Sequence, residues 1–184
     1  MPIGNSSPEL YTLGKGIVSI GEWSGTTPPA SLSDVGNAPT FDLEVTEEKL
    51  THKSSRSGLS ETDKEVVTET AYTLTFTLDE ISVANLSRLV KGTITGSNVV
   101  KANTDIGKEF SVKFVSDNPV GLNATYEFHK VTLSPNGAFS LIGDAFQELA
   151  FTATGLSDVA NNPTSKFFTV TFATTTTTTT TTTT

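Results

Sequence analysis

The chain has 184 residues, no cysteine and a formal net charge of −8, with 35% hydrophobic and 17% charged residues. That length fits one domain with a real core, and the missing thiols exclude disulfides, thiolate metal sites and thiol catalysis. The negative charge disfavours recognition of nucleic acid through its phosphates, the N-terminal residues lack the basic-then-apolar layout of a signal peptide, and no apolar run approaches the roughly 20 residues that span a bilayer. The expectation is a protein made in the cytoplasm with no membrane partner.

Met1 to Leu10 reads as an irregular N-terminal arm. Tyr11 to Ile20 is predicted as a short strand interrupted by Gly14 and Gly16, and the Gly-, Pro- and Ser-rich Gly25 to Pro39 as loop. Thr40 to Thr46 alternates Phe41, Leu43 and Val45 with polar neighbours, the pattern of a half-buried strand. Glu47 to Glu65 is polar and turn-prone and predicts a long loop, a length that in a compact domain is commonly functional or disordered. Asp42 to Glu69 holds eight acidic and four basic residues, which suits a solvated edge or polar contacts with a neighbouring subunit.

Thr70 to Leu78 gives the clearest strand. Tyr72, Leu74, Phe76 and Leu78 share one face, expected in the core, and Thr73, Thr75 and Thr77 share the other. Asp79 to Lys91 is predicted as the helix, capped by Asp79 or Ser82 and stopped by Gly92, with Asp79-Glu80 meeting the dipole. Further strands are predicted at Glu109 to Val115, Tyr126 to Leu133, Ala138 to Ile142, Glu148 to Thr154 and Lys166 to Ala173. Asn136-Gly137 marks a hairpin, and the phase change between Phe128 and Val131 suggests a bulge near His129-Lys130. Thr174 to Thr184 has no pattern to bury and reads as a disordered tail or an artefact. The fold class is mainly β: a two-sheet sandwich or barrel-like subunit with one helix and one long loop.

No catalytic constellation emerges. His52 and His129 are the two histidines and lack metal-ligand spacing, so both read as polar surface residues. There is no Gly-x-Ser-x-Gly elbow, the neighbouring carboxylates Glu47-Glu48 point to opposite sides of a strand, and Gly14-Lys-Gly16 lacks nucleotide-binding spacing. The expectation is no enzyme, no cofactor and no metal.

Three stretches in order then carry a resemblance: Leu10-Tyr-Thr-Leu-Gly-Lys-Gly16, Gly36-Asn-Ala-Pro-Thr-Phe41, and Glu48-Lys-Leu-Thr-His-Lys-Ser-Ser55 with Gly58 and Asp63 after it. Their order and spacing resemble the N-terminal half of phage major tail tube proteins, the siphophage type especially. The helix holding Asn85-Leu86 resembles that family's single helix, while Arg56-Ser57 and the threonine run depart from many relatives.

The resemblance implies a virion subunit forming stacked hexameric rings, with strands of all subunits joined in one continuous barrel around a lumen. That tube conducts DNA during ejection. Tape measure protein and DNA would occupy the lumen without specific contacts, and tail terminator and distal tail proteins would meet the tube ends. The long loop would reach the adjacent ring, with Glu47, Glu48, His52, Lys53, Arg56, Glu61 and Asp63 as candidate contacts, and Thr73, Thr75 and Thr77 are candidates for the lumen wall. The other reading from composition is an immunoglobulin-like sandwich that binds or decorates a virion or cell surface. It explains the β content but not a charged segment this long beside a single helix.

Overall fold

The structure, a computed structural model, describes residues 10–56 and 58–173. The arm before Leu10, Ser57 and the threonine run lie outside the described residues. The elements are β1 (Gly16–Glu22), β2 (Ser33–Asp34), β3 (Thr40–Ser54), β4 (Glu61–Leu78), α1 (Val83–Leu89), β5 (Thr93–Thr95), β6 (Val99–Lys101), β7 (Glu109–Ser116), β8 (Ala124–Pro135), β9 (Leu149–Gly155) and β10 (Phe168–Phe172). The chain is mainly β, as expected, with one helix among the described residues; its strands form two sheets, one of them the β5–β6 hairpin, and no barrel closes among the described residues.

Two compact units share the chain. One comprises residues up to Asn37, Glu109–Lys130 and those from Ser157 on; the other comprises Ala38–Lys108 and Val131–Leu156. In the first unit β1 lies between β2 and β7, and β10 pairs with the first half of β8. Val18 and Ile20 sit opposite Phe114 and Val112, and the buried set includes Val18, Ile20, Trp23, Val35, Phe110, Val112 and Phe128. Gly16 is required there, because a Cβ would stand 2.3 Å from the Val115 carbonyl oxygen and 2.6 Å from the Phe114 ring. Buried Asn118 ties the preceding segment down: its Oδ1 accepts from Leu13 N at 3.2 Å and its Nδ2 donates to Tyr11 O at 3.0 Å. Tyr11 to Leu13, predicted as strand, is therefore held by a side-chain amide, and Lys15 O accepts from Asp117 N at 2.8 Å.

In the second unit the order is β8–β9–β4–β3, all antiparallel. Tyr72, Leu74, Phe76 and Leu78 alternate inward and are buried against Leu149, Phe151 and Ala153 of β9 and Val131 and Leu133 of β8. Phe76 stacks on Phe151 with centroids 5.2 Å apart and meets Phe41 of β3 at 5.7 Å. The Tyr72 ring lies over Gly155, where a Cβ would come within 2.1 Å of it, and burial pushes the Tyr72 phenol well above its usual range.

Several expectations change. The helix is shorter than Asp79 to Lys91, because Ser82 is extended (ψ 159°) and its Oγ accepts from Asn85 N, starting the helix at Val83. Asp79 and Glu80 precede the cap and do not act on the dipole from the first turn. Termination comes from Lys91 in the left-handed region (φ 48°), with Gly92 N donating back to Ser87 O at 2.8 Å. Ala138 to Ile142 is irregular, not a strand: Gly137 does turn the chain (φ 94°), but β8 pairs with Leu149–Gly155 instead. The phase change at His129-Lys130 falls where β8 exchanges β10 for β9 as partner, so a change of neighbour accounts for it. Most consequential, Glu47 to Glu65 is no loop: it forms the outer halves of β3 and β4 around a short turn.

Phe76→Ala is expected to destabilise the protein by about 3–5 kcal/mol through loss of buried ring area and the cavity left behind. Gly155→Ala should cost about 1–3 kcal/mol by overpacking against Tyr72. Urea unfolding followed by tryptophan fluorescence and circular dichroism measures both.

Candidate functional site

The inner half of β4 has two neighbours, and its outer half has one. The pairing of β9 with β4 ends at Thr154 opposite Thr73, whereas β3 continues beside β4 from Thr40↔Thr77 to Ser54↔Glu61. Beyond Val45↔Tyr72 the two strands form a free ribbon, roughly 25–30 Å long at about 3.3 Å per residue. Residues 46 to 53 and 61 to 70 are exposed along both strands. The backbone ladder holds the ribbon together, helped by the β-branched Thr46, Thr51, Val66, Val67 and Thr68. A two-stranded hairpin without a third strand or a covering helix is marginal in water.

Its electrostatics run along its length. Lys49 Nζ reaches Glu65 at 2.9 Å and Glu47 at 3.8 Å, and the hydrogen bond that Lys49 donates to Glu65, then the charge of that carboxylate, raises the Lys49 pKa. His52 Nδ1 meets the Asp63 carboxylate at 2.5 Å. Register shifts at Glu48/Lys49 and His52/Lys53 mark bulges, which twist the edge and, with the charges on β3, restrain indiscriminate strand pairing. Of the sequence-predicted contact residues, Glu47, Glu48, His52 and Lys53 lie on β3, Glu61 and Asp63 on β4, and Arg56 in the turn; all are exposed. The structure gathers them on one ribbon.

Behind the ribbon, the face of the second unit opposite its core is a field of hydroxyls. Thr73 and Thr75 stand opposite Thr154 and Thr152 of β9, which stand opposite Thr132 and Ser134 of β8. On the other side Thr73 and Thr75 face Glu44 and Asp42 of β3, and Thr77 shares a 2.8 Å hydrogen bond with Thr40. Thr73, Thr75 and Thr77 therefore belong to a four-strand surface of small polar groups edged by carboxylates. Period-two alternation places three of these residues on one face; the neighbours from β8 and β9 needed the register.

The first unit holds a cleft of about 150 Å³ beside Trp23, Pro28, Pro29, Phe128 and His129. His129 was expected at the surface, yet its Nε2 is buried and has no hydrogen-bond partner among the described residues. Ser111 stands near it, but the Ser111 hydroxyl donates to the His129 carbonyl at 2.6 Å and accepts from Trp23 Nε1 at 2.9 Å, so it is not paired with an imidazole base. Asp158 is buried at the cleft, where its carboxylate accepts from Asn161 Nδ2 and Asn162 Nδ2, both at 2.8 Å, closing a turn. Among the described residues no three His, Asp or Glu side chains gather where a metal ion could sit, and no helix is long and apolar enough to cross a membrane.

Residues 11–99 and 94–171 match the family described as protein of unknown function UCP028589. The chain belongs to this family. No curated protein matches it. Among solved structures, the chain is similar to one from the cryo-EM structure of an extracellular contractile injection system, the PVC sheath-tube complex in the extended state. The likeness covers 90% of this chain and 93% of that one, with 12% identity and a TM-score of 0.40. In this UCP028589 member the matched residues take in the ribbon, the threonine face and the cleft alike.

Asp158 gives a pH test. Burial alone would raise its carboxyl pKa, but the hydrogen bonds from Asn161 and Asn162 outweigh burial and hold it below the ordinary range of an aspartate. A depressed folded-state pKa means that the carboxylate stabilises the fold fully above the unfolded value and ceases to do so as pH falls through the folded one. Asp158→Ala should therefore cost about 2 kcal/mol at pH 7, with the gap from the parent closing below about pH 4. Denaturant melts across that range check both.

Proposed function

We propose that this chain is a structural subunit that self-assembles into stacked hexameric rings, the tail tube of a phage virion, through which DNA passes during ejection. One observation carries the reading: the β3–β4 ribbon, exposed on both faces and without a third strand among the described residues. A lone ribbon of this length has little stability of its own, and in a ring its edge and faces meet sister copies. The order of Leu10 to Gly16, Gly36 to Phe41 and Glu48 to Ser55 supports the same reading through its resemblance to major tail tube proteins. The ribbon takes the part that the resemblance gives to the long loop, reaching the adjacent ring.

The threonine face suits the lumen. Hydroxyls hold a layer of water, and Asp42 and Glu44 at its border add negative charge that repels phosphate. Such a wall lets nucleic acid slide. The tube then needs no base-reading or catalytic groups, and its partners are copies of itself, the tape measure protein and DNA inside, and terminator and distal proteins at the ends.

Replacing Lys49 to Thr68 with an Asn-Gly turn joins Glu48 to Glu69 and removes only the outer ribbon. The shortened chain is expected to stay folded, with a melting temperature within a few degrees of the parent, and to form neither rings nor tubes in negative-stain images of the concentrated protein. Tubes of normal diameter from the shortened chain would refute the role given to the ribbon.

A further inference from the structure

The ribbon carries exposed apolar side chains on both faces: Leu43 and Val45 at its base and Val67 further out lie on one face, and Leu50 and Val66 on the other. Directly opposed residues of an antiparallel pair share a face. Leu43 and Val45 oppose Leu74 and Tyr72 and so lie on the core-side face, whereas Leu50 and Val66 oppose each other one alternation step away, on the reverse face. The register shift at Glu48/Lys49 is absorbed by β4, where Thr68 is the extra residue, so β3 keeps its alternation throughout. Lys49 bridging Glu47 and Glu65 on the core-side face agrees with this phase. Val45 is 58% exposed, Leu50 68% and Val66 47%. The two patches are about five residues apart, roughly 17 Å along the ribbon.

We propose that the tip of one ribbon laps the base of the ribbon on a second copy, with Leu50 and Val66 of the first lying on Leu43 and Val45 of the next. The inference rests on the self-assembly reading above and adds the pairing of faces. One flat partner cannot cover patches that face opposite ways, but a second copy displaced along the same direction presents the complementary patch at each end. The same displacement of five residues brings the His52–Lys64 row of the tip over the Glu47–Thr70 row of the base, so the Lys64 ammonium arrives at a carboxylate. The contact joins a reverse face to a core-side face, so it has no two-fold symmetry. It is heterologous and repeats from copy to copy, like overlapping tiles. At the base the lapped side is opposite the threonine face, so Thr73, Thr75 and Thr77 stay clear, and only the tip lends the side that continues that face.

The chain has no cysteine, so engineered thiols report the contact without background. Val45→Cys/Leu50→Cys places two thiols on opposite faces, too distant for a short bis-maleimide to bridge within one chain. Treated after assembly, the double variant is expected to give a ladder of dimers, trimers and higher species on denaturing gels, and each single variant a monomer band. Lys64→Glu and Glu47→Lys should each raise the concentration needed for assembly, and together restore it. Regular tubes without a ladder would overturn the lap while leaving the assembly reading standing. Dimers from Leu50→Cys alone would also overturn it, in favour of a two-fold tip-to-tip contact. A protein that stays monomeric at every concentration would overturn the lap and the assembly reading together.

Discussion

A β-strand is stable only when the hydrogen-bonding groups along its edges and the side chains on its faces find partners, and β3 meets that requirement halfway. Its inner third shares a core with β4, where Phe41 lies against Phe76 and Leu43 opposes Leu74. Among the described residues its outer part pairs with β4 alone and is exposed along its length. The second unit can carry such an extension because Tyr72, Leu74, Phe76 and Leu78 anchor the other end of β4 between β3 and β9. The buried anchor is what makes a protruding ribbon tolerable.

What was legible in the sequence follows from where a core imposes a pattern. Thr70 to Leu78 has one face in the core and one in solvent, and its alternation reveals both its conformation and its burial. The outer ribbon has solvent on both faces, so no alternation was selected, and a run such as Glu47-Glu48-Lys49 reads as loop although it is strand. The stretch Ala138 to Ile142 fails in the opposite direction. Its apolar residues looked like strand, yet Ile142 and nearby Phe146 are 95% and 97% exposed on an irregular segment. Helix ends depended on the Ser82 side-chain cap and on the left-handed backbone at Lys91, neither of which periodicity encodes.

The candidate site divides in the same way. Sequence marked the charged residues from Glu47 to Asp63 and the three threonines, because both groups stand out in composition and alternation. It could not show that Thr132, Ser134, Thr152 and Thr154 extend the hydroxyl surface, since that requires the register of β8 and β9 against β4. Nor could it show that Leu43 and Leu50 end on opposite faces of one ribbon, which depends on β4 and not β3 absorbing the extra residue. His129 gave no sequence signal of its buried ring nitrogen.

The unsupported ribbon also bears on how growth begins. Two copies meeting in solution each lose rigid-body freedom and gain a single overlap, leaving one bare tip and one bare base, so the earliest complexes are the least rewarded. A column that already has a finished layer offers an arriving copy a row of waiting sites at once. In the proposed tube, protein therefore adds to existing ends in preference to starting new ones, and a protruding arm that samples a wide radius hastens capture there.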